Sequence, residues 1–239
     1  SDVYKRQLIC SVVFIYGAAL LGYKFFGKTG LYCISVIATI LANIEVTIMI
    51  NAFGMEQTLG NVLFAVTFLI TDILSECEGK KAAQTAVYAG IFCSIFFLVL
   101  SQSWMLYTPS ATDTIMPSIK AVFSNTPRMI LASLVVYAVS QMFDVWLYHK
   151  WWNFTEKKFG NKRRFLWLRN NGSTLISQIL NTALFTAFAF WGTYDIPTLI
   201  SIFISSYVIY IFTSLLDTPF VYIARKIHDK KLNAKAEKA

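Results

Sequence analysis

Residues 59–81 read LGNVLFAVTFLITDILSECEGKK. From 59 to 76 the run is apolar, and at about 1.5 Å per residue it spans nearly the ~30 Å of a hydrocarbon core. It carries two carboxylates, Asp72 and Glu76, and stops at Lys80 and Lys81. A soluble core helix would show a polar stripe along its length. This one shows acids only near one end, which predicts a membrane span.

Comparable runs lie on both sides, at roughly 8–23, 30–53, 82–107, 129–149, 172–192 and 197–224. The chain of 239 residues is 56% hydrophobic and only 14% charged, too apolar to keep a soluble surface wet. The predicted fold is an all-α integral membrane protein of about seven transmembrane helices. The first run lacks a small-residue cleavage pattern and reads as a span, not a signal peptide. Residues 108–128 hold Pro109, Pro117 and Pro127 and few charges, which predicts an outer, partly interfacial loop.

The net charge of +8 does not point to nucleic acid, because the basic residues cluster in short connectors. Loop 150–171 holds Lys150, Lys157, Lys158, Lys162, Arg163, Arg164 and Arg169, and the tail holds Arg225, Lys226, Lys230, Lys231, Lys235 and Lys238. Cytoplasmic loops carry such an excess, so both belong inside, the C-terminus with them and the N-terminus outside. Trp104, Tyr107, Trp146, Tyr148, Trp151, Trp152, Trp191 and Tyr194 fall where spans meet headgroups, as an aromatic belt does.

Several motifs are decoys. Gly22 to Thr29, GYKFFGKT, fits the phosphate-loop pattern, but bulky Tyr23, Phe25 and Phe26 end a span where that loop needs a strand and slim residues. The Asn153 and Asn171 glycosylation sequons fall in or beside the most basic connector. Cys10, Cys33, Cys77 and Cys93 lack metal or disulfide spacing, and His149 and His228 sit at span ends. No hydrolase signature occurs, so no enzyme and no cofactor is expected.

The chemistry lies in the interior. Glu45, Asp72, Glu76, Asp144 and Asp217 fall inside predicted spans, where an acid at the helix centre costs about 2.5 to 3.5 kcal/mol. Spans two to seven hold no interior Lys or Arg, so ion pairs are not expected to offset this cost. Protonation, a ligand, or hydrogen bonds from Asn43, Gln141, Gln178 and Asn181 remain. Asp72 and Glu76 are four apart, Gln141 and Asp144 three apart, and Ser173, Thr174, Ser177, Gln178 and Asn181 recur at three and four. Each set therefore shares one helical face. Asp217-Thr218-Pro219 sets a helix breaker beside an acid, either a kink or a break lining a cavity.

At these residues the sequence resembles the queuosine precursor transporter family, also called the vitamin uptake transporter family. The resemblance runs from about 30 to 230. It rests on Ala42-Asn43-Ile44, Thr71-Asp72-Ile73-Leu74-Ser75-Glu76 with Gly79-Lys80-Lys81, and Gln141-Met142-Phe143-Asp144-Val145-Trp146. Trp167-Leu168-Arg169-Asn170-Asn171 with Ser173-Thr174, Ser177-Gln178 with Asn181-Thr182, and Leu216-Asp217-Thr218-Pro219 complete it. Departures stand at Glu78, Tyr210 and Asn181.

The resemblance implies a bacterial inner-membrane importer of 7-deazaguanine bases or their nucleoside, with a six-helix core. That core would be 30–225, preceded by an extra helix and basic connector at 1–29 and followed by a charged tail at 226–239. Substrate-binding candidates are then Asn43, Glu45, Asp72, Glu76, Gln141, Asp144, Ser177, Gln178, Asn181 and Asp217. A guanine-like edge presents adjacent N–H donors that a carboxylate accepts in pairs, with an oxygen that wants an amide. The partners are the lipid bilayer, a purine-like small molecule, protons if transport is coupled, and a second copy if it is a homodimer. A substrate-binding subunit driven by a separate ATPase module is the alternative.

Overall fold

The computed structural model describes residues 2–52, 55–123, 127–160 and 165–237. Long helices α1 (Asp2–Phe26), α2 (Lys28–Glu45), α3 (Gly60–Cys77) and α4 (Lys80–Trp104) come first. After the short α5 (Met116–Phe123) follow α6 (Pro127–Phe159), α7 (Leu166–Phe190) and α8 (Ile196–Ala236). Six of these are long and apolar enough to cross a membrane. The seventh long helix, α2, has 18 residues and packs against α1, α3 and α4. This is an all-α membrane protein, and its surface shows why. Leu131, Val135 and Val139 on α6, and Ile200, Ile204 and Val208 on α8, stand exposed at four-residue spacing. Asp72, Asp144, Asp217 and Arg169 are at most 1% exposed.

The second predicted span is divided. Helix α2 ends at Glu45, and strands β1 (Met49–Ala52) and β2 (Met55–Thr58) pair antiparallel, Met49 opposite Thr58 and Ala52 opposite Met55. Apolarity alone could not separate helix from strand in 44–53. The β-branched Val46, Thr47, Ile48 and Ile50 after Glu45 favour the extended form. Helices α6, α7 and α8 in turn run past their predicted spans at the ends rich in Lys and Arg, since leaving the hydrocarbon does not end a helix. Within 108–128, α5 forms and docks through Phe123, whose ring lies 5.7 Å from Trp104 and 5.9 Å from Phe97.

The basic segments gather at one end of the bundle. The Tyr23 hydroxyl lies 2.9 Å from Glu78 and 2.7 Å from His228, and Lys231 donates to the Tyr23 carbonyl at 2.8 Å. Lys162, Arg163, Arg164 and Lys238 lie outside the described residues. The opposite end carries the β1–β2 hairpin. There Arg128 donates to the Phe188 carbonyl in the last turn of α7 (2.9 Å) and to that of Trp191 just past its end (2.6 Å).

The phosphate-loop lookalike dissolves into helix packing. Gly22 lies in α1, Gly27 makes the turn into α2 with φ 63°, and a methyl on Gly30 would overlap the Gly22 carbonyl. The glycines let two helices approach, and no strand precedes them. Pro219 lies inside α8, which continues through it as helix. The Asn171 amide donates to Thr218 Oγ1 at 2.7 Å and Ser214 donates to Asn171 Oδ1 at 3.2 Å, which fastens this part of α8 to α7.

Candidate functional site

A polar track runs through the bundle from the hairpin end toward the basic end, built by ladders of side chains one helical turn apart. Helix α3 contributes Asp72 and Glu76, α6 contributes Gln141, Asp144 and Tyr148, and α7 contributes Arg169, Ser173, Ser177 and Asn181. Each ladder is a face of small or polar residues in an otherwise apolar helix. Burying those faces against one another leaves only apolar side chains to meet lipid.

At the hairpin end the track meets a pocket that encloses about 610 Å³ of empty space, part of it open to solvent. Asn43, Asn61, Asn181, Ser133, Ser206 and Tyr210 supply amides and hydroxyls, and Phe64, Tyr137 and Phe185 supply ring faces. Among the described residues no Asp, Glu, Lys, Arg or His side chain lines it. Tyr210 donates to Asn61 Oδ1 at 3.0 Å, Ser133 donates to Asn43 Oδ1, and the Asn43 amide donates to the Thr39 carbonyl at 2.9 Å. Gly90 admits Tyr137, because any Cβ there would collide with its hydroxyl.

Below the cavity Asn181 donates to Gln178 Oε1 at 3.0 Å. Gln141 donates to Thr67 Oγ1 at 2.6 Å and accepts from Thr71 at 3.1 Å. One turn farther lie the carboxyls. Thr174 donates to Asp72 Oδ2 at 3.0 Å. Asp144 adjoins Asp72, Ser173 and Ser177. Yet the two serine hydroxyls are spent on the carbonyls of Asn170 (3.2 Å) and Ser173 (2.8 Å), and both Asp144 oxygens are without a hydrogen-bond donor. Asp217 lies beside Tyr16 of α1. Among the described residues no cation pairs with these three buried acids, as expected.

Glu76 overturns that expectation. Arg169 is a residue of α7, not of a loop, and is fully buried. It donates from Nε at 3.0 Å and from Nη2 at 2.7 and 2.8 Å to the Glu76 carboxylate. Arg225 approaches the same group at 3.1 Å, and Tyr148 donates to it at 2.7 Å. The Arg169 guanidinium also lies over the Trp152 ring at 4.2 Å. Tyr148, expected in the interfacial belt, is fully buried, whereas Trp104, Trp146 and Trp191 are exposed as a belt requires. The connector reading of Arg169 rested on charge alone. Its four-residue spacing from Ser173 placed it on the polar face of α7.

Of the residues singled out in the sequence, Asn43 and Asn181 line the cavity. Gln141, Asp144, Ser177, Gln178, Asp72 and Asp217 lie buried beyond it, and Glu76 lies at the far end of the track. Glu45 sits half-buried at the end of α2, away from the cavity lining. Asn61 and Ser206 had no motif to mark them, and Tyr210 was marked only as a departure from the family pattern.

Comparison with known proteins gives two matches. A family model described as "Putative vitamin uptake transporter" matches residues 58–224. A Bacillus subtilis (strain 168) protein named "Probable queuosine precursor transporter" is 37% identical over 208 residues, 87% of this chain and 89% of that protein. No solved structure matches.

Proposed function

The chain belongs to the vitamin uptake transporter family, and from that premise we propose that it imports a 7-deazaguanine base or its nucleoside across a bacterial inner membrane. One observation carries this reading: an uncharged cavity of amides, hydroxyls and ring faces that continues into a buried row of carboxyls. Phe64, Tyr137 and Phe185 suit the faces of a planar bicycle, and Asn43 and Asn181 suit its edge.

Inward of the cavity Asp144 is the acceptor for the ligand's paired N–H donors, flanked by Gln141, Gln178 and Ser177. Both of its oxygens lack donors, which is the state in which a carboxylate gains most from a ligand. Asp72, beside it, is the place for a coupled proton, with Asp217 next in line. The Lys and Arg-rich end faces the cytoplasm, so the cavity faces outward. The six helices α2, α3, α4, α6, α7 and α8 form the carrying core, and α1 is an addition packed on it.

The test is uptake of labelled 7-deazaguanine bases by cells unable to make them, with and without this chain, and by proteoliposomes containing this chain alone. Accumulation in both supports the reading. Uptake in cells that disappears in proteoliposomes would instead favour a binding subunit driven by a separate ATPase.

A further inference from the structure

At the hairpin end the polar track meets the cavity. At its basic end Glu76, Arg169, Arg225, Tyr148 and Trp152 pack together. We propose that this cluster is the inner gate of the transport path, with Glu76 as the post and Arg169 and Arg225 as the latches. The proposal rests on the transport reading above and assigns Glu76 to closure, not to ligand.

Connectivity supports this role. Glu76 belongs to α3, Tyr148 to α6, Arg169 to α7 and Arg225 to α8, so one carboxylate ties together four helices. The same four helices carry Asp72, Gln141, Asp144, Asn181 and Asp217. Helices that must separate to release a ligand inward are thus held at one point, one turn from the acids the ligand would pass.

The chemistry of the closure points the same way. An apolar plug of equal volume would hold the bundle shut at least as well, because buried ion pairs lose much of their attraction to desolvation. What an ionic plug adds is that its parts are soluble once apart. Water reaching the basic end rehydrates Glu76 and the guanidinium groups, whereas it would leave parted leucines exposed. Arg225 already touches that water, with 15% of its side chain exposed, while Arg169 and Glu76 are 0% and 2% exposed. The cluster therefore has a wet outer latch and a dry inner one, and opening proceeds from Arg225 to Arg169. Trp152, stacked on the Arg169 guanidinium, keeps the inner latch in place while the outer one exchanges.

The experiment measures access to the track from the basic end. Ser177→Cys is introduced into a chain whose Cys10, Cys33, Cys77 and Cys93 have been replaced by alanine or serine. Vesicles exposing the basic end are treated with a membrane-impermeant thiol reagent. Tyr148→Phe and Arg225→Gln each remove one partner of Glu76 and keep the buried Arg169 pair, so both should fold, and folding is checked by thermal melting. Each should raise the labelling rate of Ser177→Cys about tenfold, and Glu76→Gln should raise it further. Unchanged labelling in both folded variants overturns the gate. Uptake of 7-deazaguanine by the parent chain is measured in parallel, so the two readings fail separately. Intact uptake with unchanged labelling removes the gate alone, and absent uptake removes the transport reading.

Discussion

Asp144 is the residue on which ligand reading turns. Its two oxygens are buried and without donors, while neighbouring Asp72 already accepts from Thr174. Asp144→Asn keeps the shape but turns one acceptor into a donor facing the ligand's own N–H groups. That mismatch should weaken binding by about 2 to 5 kcal/mol, roughly 30-fold or more. A neutral amide is cheaper in a membrane interior than a charge, so the variant should melt no lower than the parent. Titration of purified protein with a guanine-like base checks the first point and a melting curve the second. Parent-like affinity in a folded variant would remove Asp144 from the site. Reading this residue from sequence needed only cost, since an acid deep in an apolar run demands a reason. Reading Glu76 needed its neighbours, because Arg169 came from another helix 93 residues away and looked like part of a loop.

Among the elements, α1 and α2 form a helical hairpin whose closeness depends on Gly22 and Gly30. Ile34 also reaches over Gly22, where a side chain would strike it. Gly30→Val should force the two backbones apart at the turn and cost about 1 to 3 kcal/mol, seen as a lower melting temperature in detergent. Gly17, with open space around it, should accept alanine with little change and serves as the control. A Gly30→Val chain as stable as the parent would show that α1 docks by its apolar face alone, through Val12, Tyr16 and Ala19. At this scale the sequence marked α3, α4 and the middle of α6 well. It read 30–53 as one span, where α2 ends at Glu45 and the strand β1 follows in residues as apolar as the helix.

For the molecule as a whole, orientation and coupling are the open properties. Lys158→Cys and Lys230→Cys, both exposed at the basic end, should resist an impermeant thiol reagent in intact cells and react once the membrane is opened. Thr112→Cys, exposed near the other end, should react from outside without opening. The reverse pattern would invert the bundle and turn the cavity toward the cytoplasm. Coupling to protons is predicted from Asp72 and Asp144 lying together with no cation paired to them among the described residues. Uptake should rise with an inward proton gradient and collapse with an uncoupler. Uptake indifferent to both would leave facilitated diffusion followed by chemical trapping inside the cell.

The sequence by itself determined the solvent of this protein and the content of its interior. Length and apolarity of the runs dictate helices crossing a bilayer, because unpaired backbone groups are intolerable in lipid. The three- and four-residue spacing of the acids, amides and hydroxyls assigns them to shared faces that lipid would reject. Only the tertiary structure decided which of those faces meet, since helix spacing fixes a face and not its partner. It divided one polar interior into a cavity whose described lining is uncharged, a row of carboxyls with no cation paired to them among the described residues, and a carboxylate held by two arginines. Those three differ in the helices that surround them, which is information no single span contains.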